Sequence, residues 1–348
     1  MVPLRATSRP SPRRACTAWQ CLAWRRPLFR PISTAAPVPT TKIPFDEVDV
    51  SRFRVEHFQP GLPLRFQGRA NSSQSPGAAS KWFNHVEGQS SHGFNISMRQ
   101  FDNHSFPYEL TLPSVDEALG ETDPVARFLD WLTTTSNPMD VVLAGILRAA
   151  ITQAEDASGS RFIVFEAPLL LMLRASEFNA ENTSKLTQLY IAQSQIDDLP
   201  APLRDDLLTP RVVQETGKGD VYGSSVWIGL EPTFTSLHRD PNPNLFLQLL
   251  NSKRIRLMPP RTGERLYQGI QTRLGRVGSS RIRGLEMMDG PERVMLSAAV
   301  WGSEAPSDCF EAELDAGDAL FIPKGWWHSV KSTRRDGRLN ASANWWFR

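Results

Sequence analysis

His238 and Asp240, in the stretch TFTSLHRDPNPNLFLQLL, and His328, in GDALFIPKGWWHSV, are the residues of this chain whose types and spacing suit a metal ion. Alternate residues of a β-strand point to one face, so a His and an Asp two apart can grip one cation while a distant His completes the set. Two imidazoles and one carboxylate leave coordination positions open, the ligand pattern of non-haem Fe(II) oxygenases. Taken singly, a histidine is more often structural than a ligand. The settings of these three argue for a site. Asp240 is followed by PNPN, which suits a strand leaving regular pairing, and His328 follows the Gly325 turn after the apolar run Ala319 to Ile322. Both ends of the set therefore fall where the mouth of a barrel would be. His57, His85, His92 and His104 lie in less regular sequence and are read as surface or structural residues.

The run HRD with Asn244 downstream has a second reading, the catalytic loop of a protein kinase. The spacing from Asp240 to Asn244 is one residue short of that pattern, and neither a DFG motif nor a Gly-rich loop with a VAIK-like lysine accompanies it. The kinase reading is set aside.

The elements that must position the metal ligands follow from the rest of the chain. From about Lys185 onward, short apolar runs such as YGSSVWIGL, NLFLQLLNSKRIRLMPP and GDALFIP are separated by Gly, Pro and Asp turns, which predicts a β-sandwich or jelly roll. Before it, residues 41–184 predict an α/β extension. FDEVDVSRFRVEHFQPGLPLRF reads as a short helix and a strand, Asn71 to Ser80 as a loop, and FPYELTLP as a strand. Asp123 and Pro124 are the N-cap and first position of a helix, MDVVLAGILRAAITQAED continues as a second, and Pro168 divides a strand from an ambiguous apolar stretch. Between Arg261 and Arg293 seven arginines, four acids and several glycines read as a basic surface insertion between strands.

The chain has 348 residues, 40% hydrophobic and 22% charged, with a formal net charge of +2. That is ordinary globular composition, too nearly neutral to imply a nucleic-acid partner, though not to exclude one. The basic excess sits in residues 1–40, which hold arginines and no acid and read as a mitochondrial transit peptide ending near Ser33, or else as a disordered leader of a cytoplasmic or nuclear protein. No apolar run approaches a membrane span. Of the three cysteines Cys16 and Cys21 fall in the leader, so with Cys309 alone the folded part has neither a disulfide framework nor a cysteine zinc site.

From Tyr190 to the C-terminus the sequence resembles the JmjC domain of the cupin superfamily, in particular its small hydroxylase-type Fe(II)- and 2-oxoglutarate-dependent oxygenases. The resemblance rests on several spaced residues at once, and a looser likeness reaches back to Phe45. It implies a mainly β double-stranded β-helix with α, residues 185–348 forming the JmjC or cupin-like domain. It assigns His238, Asp240 and His328 to Fe(II). It also assigns Thr235, three residues before the first His, Lys253, fifteen after it, Tyr190 of YIAQSQ and Asn244 to 2-oxoglutarate, with Asn344 of NASANWWFR a strand polar group near it. A distal carboxylate of the cosubstrate needs a buried cation and hydroxyl donors, which Lys253, Thr235 and Tyr190 can supply. Each has a plainer reading: Tyr190 as packing, Asn244 as a turn residue, Asn344 as a strand polar group, and Lys253 as a solvent-facing strand residue, although its alternation with Arg254 and Ile255 argues otherwise. Trp227, eleven residues before the first His, matches an aromatic of the family and suits core and pocket wall equally.

The activity the resemblance implies is oxidative decarboxylation of 2-oxoglutarate with O2, coupled to hydroxylation of a C–H bond, the prime substrate being a protein side chain. Demethylation is the alternative within the enzyme class, and a non-catalytic cupin-like scaffold the alternative outside it. The chain ends directly after the last expected strand, where small hydroxylases of the family often continue into dimerising helices, so a monomer or a weak dimer through another surface is expected.

Overall fold

A computed structural model describes residues 35–68, 77–84, 93–112, 123–158, 161–275, 290–303 and 305–348. The expected leader lies almost wholly outside them, as do His85 and His92. Residues 34–348 cluster as one compact unit.

Fourteen strands run through the described residues: β1 (Ala36–Pro37), β2 (Thr40–Thr41), β3 (Leu64–Phe66), β4 (Ser105–Thr111), β5 (Phe162–Pro168), β6 (Leu189–Gln195), β7 (Val221–Leu230), β8 (Phe234–Arg239), β9 (Asn244–Leu250), β10 (Lys253–Met258), β11 (Phe310–Leu314), β12 (Ala319–Ile322), β13 (Trp327–Ser332) and β14 (Leu339–Phe347). The smaller sheet has the order β1-β11-β10-β13-β8 and the larger β2-β3-β12-β9-β14-β7-β6-β4-β5. Strands β7 to β14 divide four and four between the sheets with antiparallel pairing throughout, which is the double-stranded β-helix expected from the sequence. The extension does not stand apart from it. β6 pairs with β7 on one side and β4 on the other, so β4 to β6 lengthen the larger sheet.

Alternation along the strands sorts side chains into layers. On β10, Ile255 and Leu257 turn inward to meet Phe246, Leu320, Ile322 and Val330 between the sheets, while Met258 turns outward. That apolar plug fills one part of the sandwich and leaves the other to polar side chains. β9 is buried at all seven positions, since the larger sheet is covered on both faces, and this explains its unbroken apolar reading. The outer face of the larger sheet packs against helices Pro124–Thr134, Pro138–Ser158 and Leu169–Glu181. Asp123 caps the first of these by accepting the Val125 N–H at 2.8 Å, and the apolar stretch after Pro168 resolves into the third.

Two expectations change. The stretch read as a loop to Ser80 is helical over Gly77–Lys81, where Ala78 and Ala79 are buried against the core. The basic insertion begins and ends in helices, Pro260–Arg273 and Pro291–Trp301, rather than a solvated loop. Tyr267, Ile270, Leu296 and Val300 from these helices bury the outer face of the smaller sheet around Trp327. Gly263 makes this possible: a Cβ there would lie 2.1 Å from the Trp327 ring. Residues 276–289 of the insertion lie outside the described residues.

Candidate metal centre

His238 and His328 are register partners across β8 and β13, with ring centroids 4.1 Å apart. Asp240 lies just past the end of β8, and its carboxylate is 3.6 Å from His328 Nε2. One ligand atom from each of the three residues lies within 4.8 Å of the others, an arrangement able to hold one ion. The tautomers suit that role. His238 Nδ1 lies 2.8 Å from the Ser236 carbonyl and His328 Nδ1 3.2 Å from the Trp326 carbonyl. A carbonyl oxygen can only accept, so each Nδ1 carries the proton and the lone pair sits on Nε2, the nitrogen offered to a metal.

Asp240 accepts hydrogen bonds from Asn244 Nδ2 at 2.9 Å and from the Trp346 side chain. Burial pushes its carboxyl up, but His328 and His238, with the bonds from Trp346 and Asn244, outweigh burial and hold it below the ordinary carboxylate range. The ligand set therefore keeps its negative charge near neutral pH.

All eight residues singled out in the sequence line one cavity of about 600 Å³. Lys253, 2% exposed, donates to Tyr190 Oη at 3.2 Å and to Ser342 Oγ at 2.8 Å. Its ammonium also lies 5.6 Å from the Phe246 ring centroid and 5.7 Å from that of Tyr190. A buried cation framed by hydroxyls and aromatic faces is suited to a carboxylate. Thr235 reaches the same cavity by a β-bulge. His238 pairs with His328 but Thr235 with Val330, so three steps on β8 span two on β13, and residues three apart share a face.

Asn244 is brought to the site, but in this structure its amide holds Asp240. Trp227 is wall rather than core: its indole N–H donates to Asn344 Oδ1 at 2.7 Å and orients that amide. Of the remaining described histidines, His57 is stacked on Phe53 and His104 meets Phe106 edge-on, both away from the site.

Three contributors were not found from the sequence. Ser342 and Trp346 share the inner face of β14 with Asn344, and alternation from Asn344 could have found them. Gly229, paired with Tyr190 across β6 and β7, leaves room for that ring: a Cβ would sit 1.8 Å from it. Nothing local to Gly229 signals this, because the constraint comes from a strand far away in sequence.

The family profile described as Cupin-like domain matches residues 130–348. Among curated proteins, "Lysine-specific demethylase JMJ30" of Arabidopsis thaliana is 28% identical over 165 residues, 47% of this chain and 35% of that protein. "Jumonji C domain-containing protein 5" of Drosophila melanogaster is 30% identical over 146 residues, 41% and 33% of the two chains. "Lysine-specific demethylase 8" of Danio rerio is 28% identical over 160 residues, 45% and 36%. The matched regions thus cover about a third of the length of these relatives.

Proposed function

Because the chain belongs to the cupin-like domain family, we propose that it is an Fe(II)- and 2-oxoglutarate-dependent dioxygenase that hydroxylates a protein side chain. The observation behind this reading is that Lys253, with Tyr190 and Ser342, opens onto the same cavity as the His238, Asp240 and His328 cluster. Metal chemistry and carboxylate chemistry are then within one small molecule's reach. His238, Asp240 and His328 would hold Fe(II), which with 2-oxoglutarate and O2 supplies the oxidising chemistry. Asn244 and Trp346 keep the Asp240 carboxylate oriented, Lys253 and the hydroxyls bind the distal carboxylate, and Trp227 turns the Asn344 amide nitrogen away from the wall. Thr235 is on the cavity face and is assigned to the cosubstrate with them.

Demethylation of a protein lysine is the second reading, favoured by the names of two of the relatives, both lysine-specific demethylases. One assay separates the two. Both reactions release succinate, whereas demethylation also releases formaldehyde, and hydroxylation leaves a product 16 Da heavier. Uncoupled turnover of 2-oxoglutarate by the wild-type protein, absent in His238→Ala and Asp240→Ala, is the expected outcome. Turnover persisting in both variants would overturn the assignment. The basic leader supports delivery to mitochondria, testable by imaging the full chain against one lacking residues 1–33. No helix among the described residues is long and apolar enough to cross a membrane.

A further inference from the structure

Glu231 is fully buried at the end of β7, and the site described so far gives it no role. One carboxylate oxygen accepts the Asn340 amide at 2.8 Å, and the other has no hydrogen-bond partner. Asn340 also donates to the Ser252 carbonyl at 3.1 Å and accepts from Gln248 at 3.0 Å, while the Gln248 side-chain oxygen is again without a partner. This cluster has two orphaned acceptors around one amide and is short of a donor. A proton on Glu231 would supply one.

The cluster is adjacent to the carboxylate end of the cavity. Asn340 lies two residues from Ser342 on the same face of β14, and Ser342 accepts the Lys253 ammonium at 2.8 Å. Ser252, held by Asn340, immediately precedes Lys253. The charged groups that face Glu231 are Asp336, Arg334 and Lys253. Asp336 and Arg334 belong to the turn leading into β14, and Asp336 is paired with Arg338 at 3.1 Å. Lys253 is the one whose charge a ligand in the cavity would cancel.

We propose that Glu231 is a positioning residue that serves as the buried countercharge of Lys253 in the empty cavity and takes up a proton when the distal carboxylate of 2-oxoglutarate binds. The inference rests on the reading of this cavity as a 2-oxoglutarate site. With the lysine's charge cancelled by the ligand, an ionised Glu231 loses that favourable field and is left with its own desolvation, so the neutral acid is favoured. Burial already pushes its carboxyl up to about 7, so the exchange falls near neutral pH. Binding and protonation then favour each other. Affinity for 2-oxoglutarate is greatest below that value and falls as the pH rises through it, by about tenfold for each unit by which binding raises the Glu231 pKa.

The test is calorimetric titration of 2-oxoglutarate into the Mn(II)-loaded full chain from pH 6 to 8, in buffers of different ionisation enthalpy. Pyruvate, a 2-keto acid without the distal carboxylate, is the comparison ligand. Proton uptake with 2-oxoglutarate and none with pyruvate is expected. Glu231→Gln should still bind 2-oxoglutarate, with no uptake and no pH dependence over this range. Equal uptake for both ligands, or uptake surviving in Glu231→Gln, would overturn the inference while leaving the site intact. Failure of 2-oxoglutarate to bind at any pH would overturn the reading of the cavity along with it. If Glu231→Gln does not fold, the comparison of the two ligands on the wild-type protein decides alone.

Discussion

The Trp227 indole donates to the side-chain oxygen of Asn344 at 2.7 Å, between the paired strands β7 and β14. The oxygen is thereby engaged, and the amide nitrogen is what Asn344 offers the cavity. Trp227→Phe keeps an aromatic wall but removes this constraint. Loss of one neutral hydrogen bond is worth roughly 1 kcal/mol, so 2-oxoglutarate affinity should fall about fivefold, read by calorimetry. An unchanged affinity would mean that Asn344 does not touch the cosubstrate.

Lys253→Met keeps the length of the side chain and removes its charge. Removing one partner of a buried charge pair costs about 2 to 5 kcal/mol, so 2-oxoglutarate should bind at least about 30-fold more weakly. Mn(II) affinity should be retained, because Lys253 contacts Tyr190 and Ser342 rather than the metal ligands. Equal loss of both affinities would show a collapse of the cavity instead.

Asn244→Ala and Trp346→Phe each remove a donor to Asp240 without touching a ligand. Groups that orient metal ligands contribute about 10- to 100-fold to affinity, and a loss of that size is expected for each variant in competition with a chelating dye.

Gly229→Ala places a methyl group where the Tyr190 ring lies. Overpacking of this kind costs about 1 to 3 kcal/mol, measurable by denaturant unfolding. Because the displaced ring contacts Lys253, 2-oxoglutarate binding should weaken as well.

Glu231 also makes folding stability depend on pH. Its carboxyl is raised from 4.5 to about 7, so between those values the folded protein holds a proton that the unfolded chain has released. Stability therefore falls as the pH rises through that window, by about 3 kcal/mol in all. Glu231→Gln should flatten this part of the stability profile, raising stability at pH 8 relative to wild type and leaving it nearly unchanged at pH 4.5.

The metal ligands were legible in the sequence because their chemistry is strict and a strand's alternation is regular: His238 and Asp240 had to share a face. The jelly roll was legible in the spacing of its turns. The burial of Lys253 was legible in the alternation of KRIRLM, which puts it on one face with Ile255 and Leu257, but its role at the carboxylate came only through the resemblance. Thr235 depends on a bulge that breaks the two-residue period, and the partner strand fixes where that bulge falls. The helix at Pro260–Arg273 was hidden by Arg261, Arg265 and Arg273, because charge on its exposed face masked the buried Tyr267 and Ile270. Glu231 sits in a turn sequence without local pattern, and the residue that hydrogen-bonds it, Asn340, comes more than a hundred residues later.

The most direct measurement is the visible absorption spectrum of the protein with Fe(II) and 2-oxoglutarate under strict exclusion of O2. A metal-to-ligand charge-transfer band is predicted for the wild-type chain, and its loss in His238→Ala. For Lys253→Met the band should appear only at much higher 2-oxoglutarate concentration. A wild-type protein that binds Fe(II) and gives no band at any 2-oxoglutarate concentration would contradict the account, and one that binds neither would leave a cupin-like scaffold.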